Sequence, residues 1–330
     1  MNSSNYKDIT TTRGLNYHYY FSPATEGKST VVLVHGFPST SFDWHNQVTY
    51  LQERGYGLIV PDMIGYGGTA KPVDPTQYTF KLIVKDIVDI IDAEGVKRCV
   101  AIGHDWGSIV VARLATFYPD RFIAFGFLAV GYSPPSIQTY QQFMDKLKQM
   151  FHRDIGYQVL FGQVEGTTLC DKNVCFDSLT FDSFYSLVHP INAETLWPEY
   201  LCPPGATKKW VEENKQAVLD PHIPPEDHAY RKDILQKWGL AAPMCWYRVQ
   251  FLNLELEDNK QIPESSYVID KPVFLGLAEK DTVTTPALAK IPTEKWCKNL
   301  TTRSFDGGHW LMWENKDKLS TEIATWLETL

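Results

Sequence analysis

Residues 30–34 read Thr-Val-Val-Leu-Val between Lys28-Ser29 and His35-Gly36. A short β-branched run of this kind predicts a strand buried on both faces. Similar apolar runs at 58–60, 98–102 and 122–130 predict further strands, and the alternating aromatics of residues 15–21 predict an earlier one. Between them lie helical patterns. Residues 41–54 read as a helix stopped by Gly55. Residues 79–93 place Leu82, Ile83, Ile87, Ile90 and Ile91 at helical spacing and stop at Gly95, and a further helix runs from the 103–108 region to about Tyr118. Strands alternating with helices predict a parallel sheet covered by helices.

The alternation breaks at Tyr132-Ser133-Pro134-Pro135. From there to about Pro243 no clean strand pattern occurs, and helical stretches are interrupted by Pro203-Pro204-Gly205, Pro221 and Pro224-Pro225. Strand patterns return at 273–278 and 301–305, and residues 316–330 close the chain as an amphipathic helix. The expected organisation is an α/β core in two parts, 1–133 and 244–330, with a helical cap, 134–243, inserted between them.

Composition narrows this picture. Of 330 residues 44% are hydrophobic and 21% charged, as in ordinary globular proteins, and a net charge of -8 without a long basic cluster excludes a nucleic-acid partner. Ten Trp, 17 Tyr and 17 Phe are a rich aromatic content, most of it for core packing, with a surplus available to line an apolar cavity; Phe151, Phe161, Phe181, Phe184, Trp197 and Phe251 point to a hydrophobic ligand without being assigned to that cavity. The six cysteines form no CxxC and no Cys/His metal-ligand spacing. Cys170 and Cys175 are near enough to bridge, but reduced thiols are the default. The first residues lack an apolar signal-peptide stretch, no apolar run reaches 18 residues, and the final Glu328-Thr329-Leu330 is not a peroxisomal signal. The expectation is a cytoplasmic protein without a membrane span, monomer or homodimer.

The chemistry concentrates in Gly103-His104-Asp105-Trp106-Gly107-Ser108, directly after the strand at 98–102. Small residues two before and two after a central side chain, between strand and helix, form a nucleophile elbow. The central residue is Asp105, not serine. A carboxylate there favours attack on a saturated carbon to give an alkyl-enzyme ester, whereas serine favours acyl transfer. The plain alternative is a tight turn with an Asp helix cap. Three further segments weigh against it. His309, in Gly307-Gly308-His309-Trp310, follows a predicted strand and is the candidate base. Asp281, in Ala278-Glu279-Lys280-Asp281, lies past another strand and is the candidate orienting acid, with Glu279 as its rival. The order Asp105, Asp281, His309 is the nucleophile–acid–histidine order of α/β-hydrolases. In His35-Gly36-Phe37-Pro38 the Phe37 N–H, with that of Trp106, is positioned to form an oxyanion hole. His35 reads as structural, and His104 as no more than a supporting group.

With these segments (HGFP at 35–38, GHDWG at 103–107, AEKD at 278–281, GGHW at 307–310) the chain resembles the epoxide hydrolases of the α/β-hydrolase fold, of the soluble, microbial and plant type. Two cap segments extend the resemblance: Tyr157-Gln158, and Trp246-Tyr247-Arg248 preceded by Cys245 where the family usually has Asn. Ser108 stands where many members carry Gly. The resemblance covers about residues 10–330 and is weakest around 165–240. It implies a mostly parallel sheet flanked by helices with an inserted helical cap. It also implies hydrolysis of a hydrophobic epoxide by water through an ester on Asp105. Tyr157 and Tyr247 would be lid acids, His309 and Asp281 would activate water, and no cofactor would be required. With only about a dozen residues before the first predicted strand, no phosphatase-like domain is expected. A haloalkane dehalogenase would share the Asp elbow but usually needs a second halide donor, and Phe37 offers none from its side chain. A non-catalytic binder would be expected to lack a triad member, and a serine esterase a Gly-x-Ser-x-Gly elbow.

Overall fold

The computed structural model describes residues 1–152, 154–163 and 178–330. Cys170 and Cys175 lie outside the described residues, as does the side chain of Phe151. The buried runs of the sequence become the middle of one sheet. Its strands are β1 (Tyr6–Thr10), β2 (Asn16–Ser22), β3 (Thr30–Val34), β4 (Gly57–Pro61), β5 (Cys99–His104), β6 (Phe122–Leu128), β7 (Ile269–Ala278) and β8 (Cys297–Phe305). They are arranged β1-β2-β4-β3-β5-β6-β7-β8. The pairings β1–β2 and β2–β4 are antiparallel, and every pairing from β4 onward is parallel. Every residue of β3, β4 and β5 is buried, because helices cover both faces of these central strands.

The covering helices are α1 (His45–Gln52), α2 (Phe80–Ala93) and α3 (Trp106–Phe117). In α2, Ile83, Val84, Ile87, Ile90 and Ile91 form the stripe that packs on the sheet. Between β6 and β7 the described elements are helices. They are α4 (Tyr140–Phe151), α5 (Gly156–Gly162), α6 (Ser178–Val188), α7 (Ala193–Tyr200), α8 (Ala206–Glu212), α9 (Pro225–Trp238), α10 (Cys245–Phe251) and α11 (Leu256–Lys260). They are tied to the core by buried polar contacts. Arg231 of α9 pairs with Asp43 at 2.7 Å, the Trp246 indole N–H donates to the Ile64 carbonyl at 3.0 Å, and the Trp310 indole N–H donates to the Val188 carbonyl at 3.1 Å. The chain ends with α12 (Pro286–Trp296), α13 (Leu311–Glu314) and α14 (Lys316–Leu327).

Several boundaries differ from the sequence expectation. The helix expected at 41–54 starts as a 3-10 turn, Ser41–Trp44, capped by the Thr40 hydroxyl. Strand β1 was not expected, since Tyr-Lys-Asp-Ile-Thr lies at the sheet edge and buries no residue fully. Strands β7 and β8 each begin four residues before the segments expected at 273–278 and 301–305. Pro272 is tolerated there because the register shifts between Ile269 and Pro272. Helix α12 was not expected because Pro292 interrupts its pattern.

Candidate active site

Strand β5 ends in Gly103-His104 and α3 starts at Trp106, so Asp105 occupies the turn, with φ 53° and ψ -122°. An L-residue held there stores about 1–3 kcal/mol of strain, which the surroundings must enforce. They do so by close approach. A Cβ at Gly103 would overlap the Gly107 carbonyl, one at Gly107 would overlap that of Val34, and one at Gly36 would strike the Asp105 carboxylate. These glycines let the elbow lie against the β3 end.

The two oxygens of Asp105 have different surroundings. Oδ1 accepts a hydrogen bond from the Phe37 N–H at 2.9 Å, and the Trp106 N–H also donates to the carboxylate. Oδ2 faces the His309 imidazole, with Nε2 3.6 Å away. Burial pushes the Asp105 carboxyl pKa up, while the His309 charge and the two N–H groups pull it back. The Phe37–Pro38 peptide is cis.

His309 sits on the loop after β8, and its Nδ1–H donates to Asp281 Oδ2 at 2.7 Å. Asp281 Oδ1 accepts from the Val283 and Thr284 N–H groups at 2.8 and 2.9 Å, so the acid is held from two sides. Its rival Glu279 is exposed. Burial would lower the His309 pKa, but Asp281, through charge and hydrogen bond, and then Asp105 overcome it and raise it to about 9. His104 donates its Nε2–H to the His309 carbonyl at 2.7 Å and pins that loop to the elbow. Burial keeps His104 well below the ordinary histidine range, hence neutral. This brace joins residues 205 positions apart, and nothing in the local sequence announces it. His35 is structural. Its Nδ1–H donates to the Gly36 carbonyl and its Nε2 accepts from the Met63 N–H, both at 2.9 Å.

Tyr157 of α5 and Tyr247 of α10 come together with their ring centres 6.0 Å apart. Both line one cavity with Asp105 and His309. The Tyr247 ring stands edge-on to Phe37 and Trp106, each 5.0 Å away. The Gln158 amide donates to the Tyr157 hydroxyl at 3.4 Å, leaving that hydroxyl's own proton free. Burial, with the nearby Asp105 charge, holds both phenols well above the ordinary tyrosine range, so both are proton donors at neutral pH. Of the aromatics that point to a hydrophobic ligand, Phe161 and Trp197 line this cavity. Phe184 packs behind Phe37 and Phe161, while Phe181 stacks on Tyr185 and Phe251 lies tilted against Tyr140. Among the described residues no group of three or more His, Cys, Asp or Glu could hold a metal ion, and no helix is long and apolar enough to cross a membrane.

The mostly parallel sheet, the strand–elbow–helix turn and the acid–histidine pair define the α/β-hydrolase fold. The alpha/beta hydrolase fold family matches residues 29–157. Along most of its length the chain is similar to epoxide hydrolases. It is 29% identical over 300 residues to bifunctional epoxide hydrolase 2 of Sus scrofa, which covers 91% of this chain and 51% of that protein. An epoxide hydrolase of Neurospora crassa is 24% identical over 328 residues, covering 95% and 92%. Among solved structures, an epoxide hydrolase from an endophytic Streptomyces superimposes with a TM-score of 0.81 at 24% identity, covering 98% of this chain and 95% of that one. A Vigna radiata epoxide hydrolase mutant gives 0.78 at 24% identity over 98% of both chains. The chain spans about half the length (51%) of the mammalian bifunctional relatives it matches.

Proposed function

We propose that this protein hydrolyses a hydrophobic epoxide to a vicinal diol through an ester on Asp105, with residues 134–243 acting as the cap over the site. The observation that carries the reading is the division of labour at Asp105. One oxygen accepts from the Phe37 N–H while the other faces His309, and the carboxylate lines a cavity that also holds two protonated tyrosines.

Asp105 Oδ2 attacks one oxirane carbon as the C–O bond on its far side breaks. The leaving oxygen takes a proton from Tyr157 or Tyr247, since an alkoxide leaves poorly without an acid. Ester formation cancels the Asp105 charge, one of the causes that hold the His309 pKa at about 9. The imidazolium then gives up its proton as the tyrosinate regains one, and His309 becomes a neutral base. It takes a proton from water, and the hydroxide adds to the ester carbonyl carbon. The negative charge develops on Oδ1, which already accepts from the Phe37 N–H, while the Trp106 N–H donates to the same carboxylate, and one such donor is worth roughly 3 kcal/mol. Collapse breaks the ester bond. The departing oxygen takes the proton of the new carboxylic acid, which restores the Asp105 carboxylate and the His309 imidazolium. The buried, unpaired thiols of Cys99, Cys245 and Cys297 fit a reducing, cytoplasmic setting.

The test is intact-mass analysis of His309→Gln incubated with epoxides and matched haloalkanes. The expected result is an adduct of the whole epoxide mass, absent when Asp105→Ala is added. An adduct of an alkyl group lacking its halogen would move the assignment to a haloalkane dehalogenase. Turnover by wild type without an adduct in the trap variant would contradict the ester.

A further inference from the structure

Two cavities of very different size meet at Asp105. One, of about 40 Å³, is lined by His309, Tyr247, Phe161, Trp197 and Leu201. The other, of about 640 Å³, runs along one face of α3 past Trp106, Ile109 and Arg113, and along α4 past Tyr140, Leu147 and Met150. Asp105, Tyr157 and Val283 belong to both, so they mark the junction. A substrate held for attack by Asp105 and protonation by the tyrosines sits at that junction, and its two arms point into unequal spaces.

The hydrolytic water also needs room. His309 lines only the small cavity, so the water it activates stands there. One water takes roughly 10–15 Å³ of such volume. What remains of about 40 Å³ accepts a hydrogen or a methyl group beside it, not a chain. The walls are pinned. The Trp197 indole N–H donates to the Leu187 carbonyl at 2.7 Å, and Phe161 is wedged between Phe37, Tyr247 and Phe184 at ring separations of 5.3, 5.1 and 5.9 Å. A packed wall of this kind does not widen cheaply. The large cavity has the opposite character. Ile137, Phe143, Met150 and Ile291, which line it, are 60%, 37%, 56% and 55% exposed, so its apolar wall continues to the surface.

Resting on the epoxide hydrolase reading, we infer that the substrate is a terminal or methyl-terminated epoxide carried on one long apolar arm. The arm lies in the large cavity, and Trp197 and Leu201 exclude epoxides with two long arms. The test compares two isomers of a twelve-carbon alkane epoxide, one with the oxirane at the chain end and one with it in the middle. Wild type is expected to favour the terminal isomer by at least about tenfold in kcat/KM, the discrimination that a single methylene gives in a closed pocket. Leu201→Ala, and separately Trp197→Phe in case the first folds poorly, is expected to raise kcat/KM for the internal isomer and so narrow the ratio. Equal or better turnover of the internal isomer by wild type would overturn the inference and leave the Asp105 chemistry standing. Neither turnover nor a His309→Gln adduct with either isomer would overturn the epoxide reading and the inference with it.

Discussion

At the scale of single residues the site is a set of opposed electrostatic demands. Asp105 is partly buried yet in the proposed mechanism must be ionised to attack, and His309 is buried yet carries a proton because two carboxylates surround it. The His309 pKa, raised from 6.5 to about 9, has a consequence for stability. A base whose pKa is higher in the folded state stabilises that state fully below its unfolded pKa and loses the contribution as pH rises through the folded value. Wild type should therefore lose on the order of 3 kcal/mol relative to His309→Gln between pH 6.5 and pH 9, the imidazole being only 7% exposed. Denaturant unfolding of both proteins across that range measures it. A constant difference would show that His309 is not charged in the resting enzyme. The side chains that the structure brings together at Asp105 were legible in the sequence because the chemistry proposed for them resides in residue type and in short flanking motifs. The Asp105 turn was legible through Gly103 and Gly107. The brace from His104 to the His309 carbonyl was not, since it joins two loops that only the folded sheet brings together.

At the scale of elements, the central strands were readable because burial on both faces writes them as unbroken apolar runs. Edge and capping elements were not. β1 has two half-buried positions and no apolar period, and α12 contains Pro292. The insertion between β6 and β7 read as helical because helical stretches broken by Pro/Gly turns carry no strand pattern, but nothing local showed how it docks. One such contact is the buried Arg231–Asp43 pair, 188 residues apart, in which Asp43 Oδ2 also accepts from Ser39 at 2.6 Å. Both side chains are almost wholly buried, and the guanidinium lies over Trp310 and Trp313 at 5.2 and 5.5 Å. Removing one partner leaves an uncompensated buried charge, at a cost of about 3–5 kcal/mol. Arg231→Met is expected to lower unfolding stability by that amount in denaturant titration. The double variant Arg231→Met/Asp43→Leu should recover much of it. A single variant as stable as wild type would mean that the pair does not hold α9 to the core.

At the scale of the whole molecule, the groups proposed to be catalytic come from widely separated segments. Phe37 follows β3, Asp105 follows β5, Asp281 follows β7 and His309 follows β8, all at the same end of the parallel strands, while the tyrosines descend from α5 and α10. A parallel sheet gathers loops at the C-terminal ends of its strands, which is why segments more than 200 residues apart converge there. The proposed ester requires Asp105 to exchange one of its own oxygens with water in each turnover, and single-turnover reaction of wild type in ¹⁸O-labelled water reads that exchange. With enzyme in excess over epoxide, the ester route gives an unlabelled diol from the first turnover and one ¹⁸O atom in the peptide containing Asp105. A labelled diol with an unlabelled peptide would mean that water attacks the epoxide directly, and the covalent mechanism would be wrong.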